Sequence, residues 1–234
     1  MASGRVPGFA PSRSGLHFAN DFPREPLFRA GMGALAVPIG NAANGLCGGM
    51  VLTARDLYER GVQPPSTREV PGPGTPLFRY LRRRLFDSFN LPMGPLRYWL
   101  WQLLPAGDRF GLHGLAWRTI RGHWPAIRAG IDAGHLVPLG VVRARSINPL
   151  RLSQNHQVLA YGYRLDEATS TLAIDVYDPN HPDDDSCVLS LSVADPTGPT
   201  AIAYVAGEAP VRGFFQTAYR RPIGQDITRI VSSG

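Results

Sequence analysis

The sequence predicts an α+β protein in which helices come first and an antiparallel β-sheet follows. Between residues 47 and 131, apolar side chains recur at helical spacing, whereas from residue 137 onward they form short runs separated by turn sequences. Segregation of helices and strands along the chain is typical of the α+β class. With 234 residues, the chain is long enough for one domain, 1–234, with a substantial core.

The N-terminal region leads into one well-marked helix. Residues 1 to about 40 are rich in Pro, Gly and Arg, and within them only 16–22 has the pattern of a short extended segment. From Cys47 to Arg60, apolar residues recur at helical spacing, and Gly61 supplies a C-terminal stop. We expect this helix to bury one face and to present its first turn to a cleft.

The region 63–117 is predicted to be a helical insertion or cap on the domain. A Pro- and Gly-rich stretch leads into two apolar segments, 77–89 and 96–104. We expect them to cover the core and to form one wall of the cleft; the alternative is an amphipathic hairpin that docks on a membrane surface or a partner. The arginines at 82–84 are expected to face solvent, so that replacing all three by Gln leaves folding unchanged.

The C-terminal half is predicted to form the sheet. After a helix that begins at Pro125 and ends near Ile131, six apolar runs predict strands. They lie at 137–143, 156–165, 172–177, 188–193, 201–205 and 211–219. Short connections at 166–169 and 195–198 favour antiparallel neighbours, because parallel strands need longer crossovers.

The basic residues of the chain are unusual because none of them is lysine. The net charge is +6, and all 24 basic residues are arginine. A genome rich in G and C is one explanation; a lysine-free surface that escapes lysine-directed modification is the other. Because the arginines are dispersed apart from the run at 82–84, we expect no nucleic-acid partner.

No segment of the sequence has the pattern of a membrane anchor. A long uncharged apolar run and a leading basic-then-apolar segment are both missing from the 234 residues. We therefore expect the protein to be cytoplasmic, or exported without a conventional signal peptide, and we expect no membrane partner. No feature of the sequence specifies an oligomeric state.

Three residues on different elements form the pattern of a thiol-dependent catalytic site. Cys47 opens a helix after Gly45-Leu46, His156 opens a strand, and Asp178 closes the next strand. A helix N-terminus and a nearby imidazole both stabilise a thiolate, which is the nucleophilic form of cysteine. The imidazole needs a hydrogen-bonding partner that sets its tautomer, and Asp178 is the candidate, with Asn180 in reserve.

These motifs resemble those of the papain-like cysteine peptidases. Within that superfamily, the chain is most similar to the bacterial branch of bacteriocin-leader-processing peptidases. The resemblance rests on the Cys47-Gly48 step, on His156 at the start of a hydrophobic strand that ends in Gly-Tyr, and on Asp178-Pro179 after the next strand. It covers residues 41 to 58 and 136 to 178, and the stretch 63–117 lies outside it.

The resemblance implies a papain-like fold, with the nucleophile helix packed on the antiparallel sheet. It also implies a peptide or protein substrate, no cofactor and no metal. A Gln six residues before the nucleophile usually completes the oxyanion hole of this family, and here that position is Asn41, a shorter amide. Asn44 is the rival for this role.

Other interpretations of the same residues stay open. The triad could serve a transglutaminase, a deamidase or an acyltransferase, or the fold could be a binding module without turnover. Taken singly, Cys47 could be a core cysteine and Asp178 a turn residue. The second cysteine, Cys187, lies within Ser186-Cys187-Val188-Leu189 and is expected in a strand. A disulfide between the two cysteines would disable the nucleophile, which favours a reducing compartment. His181 and the aspartates at 183–185 are expected to form a solvated turn rather than a metal site.

Overall fold

The computed structural model describes residues 1–23, 28–30, 37–39, 45–90, 93–204, 210–223 and 227–231. The α-helices of this part of the chain are α1 (Pro11–Ser14), α2 (Cys47–Glu59), α3 (Pro76–Phe89), α4 (Met93–Leu103), α5 (Leu115–Trp117), α6 (Trp124–Asp132) and α7 (Ile227–Val231). A π-helical stretch, Arg118–His123, joins α5 to α6, and a 3-10 helix spans Pro149–Gln154. The strands are β1 (Ala2–Arg5), β2 (Phe28–Ala30), β3 (Val37–Ile39), β4 (Val137–Val142), β5 (His156–Asp166), β6 (Thr171–Tyr177), β7 (Val188–Ser192) and β8 (Gly213–Gln216). The protein is therefore α+β, as the sequence predicts.

Six of the described strands form one antiparallel sheet. Its order is β7-β6-β5-β4-β8, and β1 pairs with β5 beside β4. The long strand β5 is the centre of the sheet: β4 pairs with its first half, β1 with its second half, and β6 with its other edge. Strands β2 and β3 pair separately with each other. Because β5 and β6 are antiparallel, the end of β6 lies beside the start of β5.

Helices α2 and α6 pack against the sheet and enclose the largest apolar core. The core includes Val51 and Ala54 of α2, Ile127 of α6, and the inward residues of the central strands. A second apolar cluster joins the other side of α2 to α3 and to the segment before β2, through Met50, Leu81 and neighbouring side chains. Helix α2 is thus buried on two sides, and its position is determined by both the sheet and α3.

Small residues and a buried ion pair hold α2 against α3. A Cβ atom at Gly49 would collide with the Leu81 carbonyl oxygen of α3, so glycine permits this close approach. Further along, Arg84 Nε lies 2.8 Å from Asp56 Oδ2, and the exposed fraction of the two side chains is 1% and 0%. Tyr80 and Tyr219 each donate a hydrogen bond to the same carboxylate at 2.8 Å. The pair ties α3 to the helix that carries Cys47.

The burial of Arg84 corrects the expectation for the arginines at 82–84. Arg83 is exposed and Arg82 is partly buried, but Arg84 lies inside the contact between α2 and α3. Its place on the buried side of α3 follows from helical spacing, because Leu81 and Leu85 flank it and both are buried. Removing this guanidinium would leave the Asp56 carboxylate buried without its counter-ion.

Some predicted strands differ from the observed ones. In 16–22 the described chain forms no strand, although Leu16, Phe18 and Phe22 are buried. Within 201–205, Ile202 and Ala203 form only isolated bridges. Strand β1 escaped sequence analysis because Ala-Ser-Gly-Arg carries no apolar alternation. Among the described helices, none has the length and apolar character needed to cross a bilayer.

Candidate active site

The fold places the three predicted residues at neighbouring ends of three elements. Cys47 is the first residue of α2, His156 is the first residue of β5, and Asp178 follows the last residue of β6. Register explains the proximity of the last two, because Leu159 of β5 pairs with Tyr177 of β6. Packing of α2 on β5 then brings the start of the helix to the same end of the sheet.

His156 and Asp178 form a buried hydrogen-bonded pair. His156 Nε2 lies 2.6 Å from Asp178 Oδ1 and donates to it. The exposed fraction is 5% for His156 and 0% for Asp178. With Nε2 used in this way, Nδ1 is the ring nitrogen left for the thiol. This division of the two nitrogens is the one that a base oriented by a carboxylate requires.

The pair is strongly polarised. Burial by itself would lower the pKa of His156, but the charge and the hydrogen bond of Asp178, with a smaller contribution from Cys47, outweigh it and raise the pKa to about 10. Burial would raise the pKa of Asp178, but His156, the Tyr204 hydroxyl and the backbone N–H of Asn180 lower it to about 2. Near neutral pH the pair is therefore an imidazolium and a carboxylate.

Cys47 lies at the start of α2, beside the His156 ring. Its side chain is a hydrogen-bonding partner of that ring. It is a free cysteine with partial exposure, so a reagent or substrate can reach it. The N-cap residue, Leu46, makes no capping hydrogen bond with its own side chain, and the positive end of the helix dipole lies at the residue that carries the sulfur.

Two hydrogen bonds to Asp178 complete its surroundings. The Tyr204 hydroxyl donates to Asp178 Oδ2, and the backbone N–H of Asn180 donates to Oδ1 at 2.8 Å. Asn180, the reserve partner for His156, thus contributes through its backbone. Tyr204 was missed by sequence analysis, although a lone tyrosine in an apolar run signals a buried hydroxyl in need of a partner.

A second buried tyrosine holds the backbone of the histidine. The Tyr98 hydroxyl of α4 donates to the carbonyl oxygen of His156 at 3.1 Å. Burial, and then the charge of Cys47, raise the pKa of Tyr98 well above its ordinary value, so the phenol keeps its proton. Gly140 of β4 makes room for it, because a Cβ atom there would lie 2.5 Å from the hydroxyl. Helix α4 therefore borders the site.

Gly48, the glycine after Cys47, has a packing role. A Cβ atom at Gly48 would collide with the Ser88 hydroxyl and would lie 2.7 Å from Gln157 Nε2. These two side chains are themselves hydrogen-bonded at 3.2 Å. Gly48 thus lets the first turn of α2 contact both α3 and β5. Close packing therefore explains why a glycine directly follows Cys47.

The predicted oxyanion donors, Asn41 and its rival Asn44, lie outside the described residues. Their assignment stays a prediction. Described backbone begins again at Gly45, two residues before Cys47.

The acidic loop after Asp178 is tied to other parts of the chain. Asp183 pairs with His17 at 2.5 Å and with Arg68 at 2.9 Å, and Asp185 accepts two hydrogen bonds from Ser12. Its carboxylates are therefore partnered rather than simply solvated. Among the described residues, no group of side chains could hold a metal ion. Cys187 is a buried cysteine directly before β7; it forms no disulfide, and its thiol donates to Asp184 Oδ2 at 3.5 Å.

Comparison of the chain with family models, with curated proteins and with solved structures finds no match.

Proposed function

We propose that the protein is a cysteine-dependent acyl-transfer enzyme and, more specifically, a peptidase of papain-like architecture. The observation that carries the proposal is the buried 2.6 Å pair of His156 and Asp178 beside the start of the Cys47 helix. A histidine that merely satisfied the core would need neither a buried carboxylate nor a partly exposed thiol as neighbours. The packing of α2 on an antiparallel sheet that carries His156 supports the papain-like assignment.

In the first half of the reaction, the Cys47 thiolate attacks the substrate carbonyl carbon. A C–S bond forms, and the carbonyl electron pair moves to oxygen, where an amide side chain such as that of Asn41 would stabilise the charge. The tetrahedral species collapses by breaking the C–N bond. The departing amine takes the proton that His156 holds, and a thioester remains on Cys47.

In the second half, water attacks the thioester carbonyl and His156 accepts a proton from it. The C–S bond then breaks, the acid product leaves, and the thiolate and imidazolium are restored. Asp178 stays ionised throughout and holds the ring with Nδ1 toward the sulfur. Tyr204 and the backbone N–H of Asn180 hold that carboxylate in turn.

The pH dependence of thiol alkylation tests the proposal. In a Cys187→Ser background, where Cys47 is the single thiol, iodoacetamide should label Cys47 at about pH 6, well below the ordinary thiol pKa of about 8.5. His156→Ala should shift the profile toward that ordinary value. The comparison is made within one cysteine, because burial alone would slow the labelling of Cys187. Identical profiles with and without His156 would contradict the proposal.

Product mass separates peptide hydrolysis from the alternatives. Cleavage of a peptide by the unaltered protein, lost in Cys47→Ala, supports the peptidase. A mass gain of a coupled amine would indicate a transferase, and conversion of a side-chain amide to an acid would indicate a deamidase. Low-pH labelling without any of these products would favour a binding module that retains the site.

A further inference from the structure

Asn20 bonds to both halves of the candidate site. Its Oδ1 accepts a hydrogen bond of 2.6 Å from the backbone N–H of Leu46, the residue directly before the nucleophile. Its Nδ2 donates to Asn180 Oδ1 at 3.1 Å, and its backbone N–H donates to the Pro179 carbonyl at 2.9 Å. One side chain therefore connects the entry to α2 with the turn that follows Asp178.

This connection matters because the two halves belong to different layers of the fold. Cys47 is carried by α2, whereas His156 and Asp178 are carried by the sheet. The backbone N–H of Asn180 in turn donates to Asp178 Oδ1 at 2.8 Å, the oxygen that binds His156. The chain of bonds from Leu46 through Asn20 and Asn180 thus ends on the carboxylate of the site.

The loop before the nucleophile is shaped around the Asn20 amide. Gly45 has a φ of +87°, a conformation that favours glycine. A Cβ atom at this position would lie 2.5 Å from Asn20 Nδ2. Gly45 therefore gives the amide its space as well as turning the chain into α2.

We propose that Asn20 is a positioning residue that sets Cys47 relative to His156 and Asp178. The role calls for one acceptor and one donor on a short stem, which an asparagine amide provides and a carboxylate or an apolar side chain does not. Asn20 touches no reacting atom; it acts through the backbone on each side. The inference rests on the proposed function, since it assigns Asn20 to the same thiol site.

The test compares Asn20 variants in the Cys187→Ser background by the pH profile of iodoacetamide labelling at Cys47. Asn20→Asp keeps the acceptor for Leu46 and loses the donor for Asn180, and Asn20→Ala loses both. We expect the labelling rate at about pH 6 to fall about tenfold in Asn20→Asp and up to about a hundredfold in Asn20→Ala, because small misplacements of reacting groups have effects of this size.

Ser12→Ala is the matched control. Ser12 lies on the same N-terminal segment, and its hydroxyl donates to Asp185 of the same loop at 2.7 Å rather than to the entry of α2. Its labelling profile should equal that of the parent.

Asn180→Ala is the second variant: it removes the acceptor for Asn20 Nδ2 but keeps the backbone N–H that binds Asp178. It should reproduce the loss seen in Asn20→Asp.

The outcomes separate this inference from the proposed function. If the parent labels at low pH in a His156-dependent way and both Asn20→Ala and Asn180→Ala keep that profile, the positioning role is wrong and the function stands. If the parent itself shows no His156-dependent labelling, the proposed function fails first. Should Asn20→Ala unfold, a parent-like profile in the folded Asn180→Ala would still overturn the inference.

Discussion

The Tyr204 hydroxyl donates a hydrogen bond to Asp178 Oδ2, the carboxylate oxygen that His156 leaves unused. Oδ1 accepts from His156 Nε2 and from the backbone N–H of Asn180. The fully buried carboxylate therefore has a donor on each oxygen, as a stable buried anion requires. Tyr204 fixes the rotation of the carboxylate and so the direction in which the imidazole points.

Tyr204→Phe should destabilise the protein and raise the pKa of Asp178. The change keeps the ring and removes one donor to a buried charge, a loss of about 1.5–3 kcal/mol. The control is Tyr58→Phe, which removes a hydroxyl bonded to the Pro7 carbonyl at the surface. Urea unfolding at pH 7 measures both variants. Equal free energies of unfolding for the two would contradict the assigned role of Tyr204.

The stability of the protein should fall as the pH rises through the alkaline range. The pKa of His156 is raised from 6.5 to about 10, so its contribution is complete below 6.5 and is lost as the pH passes through 10. The pKa of Asp178 is lowered from 3.8 to about 2, so its contribution is present above 3.8 and is lost as the pH falls through 2. The pair therefore stabilises the fold most between pH 3.8 and 6.5.

Urea unfolding measures how stability is lost at alkaline pH. Two variants are compared: Cys47→Ser alone, and Cys47→Ser combined with His156→Gln. The serine removes titration of the thiol, and the difference between the two proteins cancels other titrating groups. Above pH 6.5, the difference should shrink with a slope of up to about 1.4 kcal/mol per pH unit, over a range that ends below pH 10 because Cys47 no longer helps to raise the pKa of His156. A difference that is independent of pH would show that His156 is not held as an imidazolium.

Arg84→Gln should destabilise the protein by about 3–5 kcal/mol, because it leaves the Asp56 carboxylate buried without its counter-ion. Arg83→Gln, one residue earlier on the exposed side of α3, is the matched control and should stay within about 0.5 kcal/mol of the parent. Urea unfolding again supplies the values. A tolerated Arg84→Gln would mean that the Asp56 pair is not a structural link between α2 and α3.

Gly49→Ala should displace the first turn of α2 from α3 and lower both stability and Cys47 labelling. The added methyl group meets the Leu81 carbonyl oxygen, which is backbone and cannot move aside alone. Overpacking of this kind costs about 1–3 kcal/mol. Gly122→Ala, where a Cβ atom meets no atom within 4 Å, is the control and should be neutral or stabilising. Parent-like melting of Gly49→Ala would refute the close packing.

Asn41→Ala should reduce turnover about a hundred- to a thousand-fold while leaving the melting temperature unchanged, as expected for an oxyanion donor that faces the cleft. Asn44→Ala is the comparison at the rival position. Measured peptide turnover decides between them: an active Asn41→Ala together with an inactive Asn44→Ala would transfer the assignment to Asn44.

Sequence reasoning correctly predicted the features that depend on local residue patterns. Helix α2 begins at Cys47 and β5 begins at His156, as expected, because helical spacing and apolar runs report local structure directly. The approach of Asp178 to His156 was also accessible, since a hairpin between consecutive antiparallel strands places the end of one beside the start of the other. The placement of Asp178 beside His156 thus needed one strand pairing, whereas the approach of Cys47 depends on the packing of α2 on β5.

Tertiary structure alone decided which further side chains serve the site. Tyr204, Asn20 and Arg84 each bond to residues more than twenty positions away, and a local pattern contains no record of such partners. For Arg84, sequence reasoning predicted exposure, because arginines usually lie at the surface. Its burial depends on the ion pair with Asp56, which only the packing of α3 on α2 creates. The sequence by itself determined most of the helices and strands, because their residue patterns are local; packing of α2 between the sheet and α3 determined how Cys47, His156 and Asp178 are brought together.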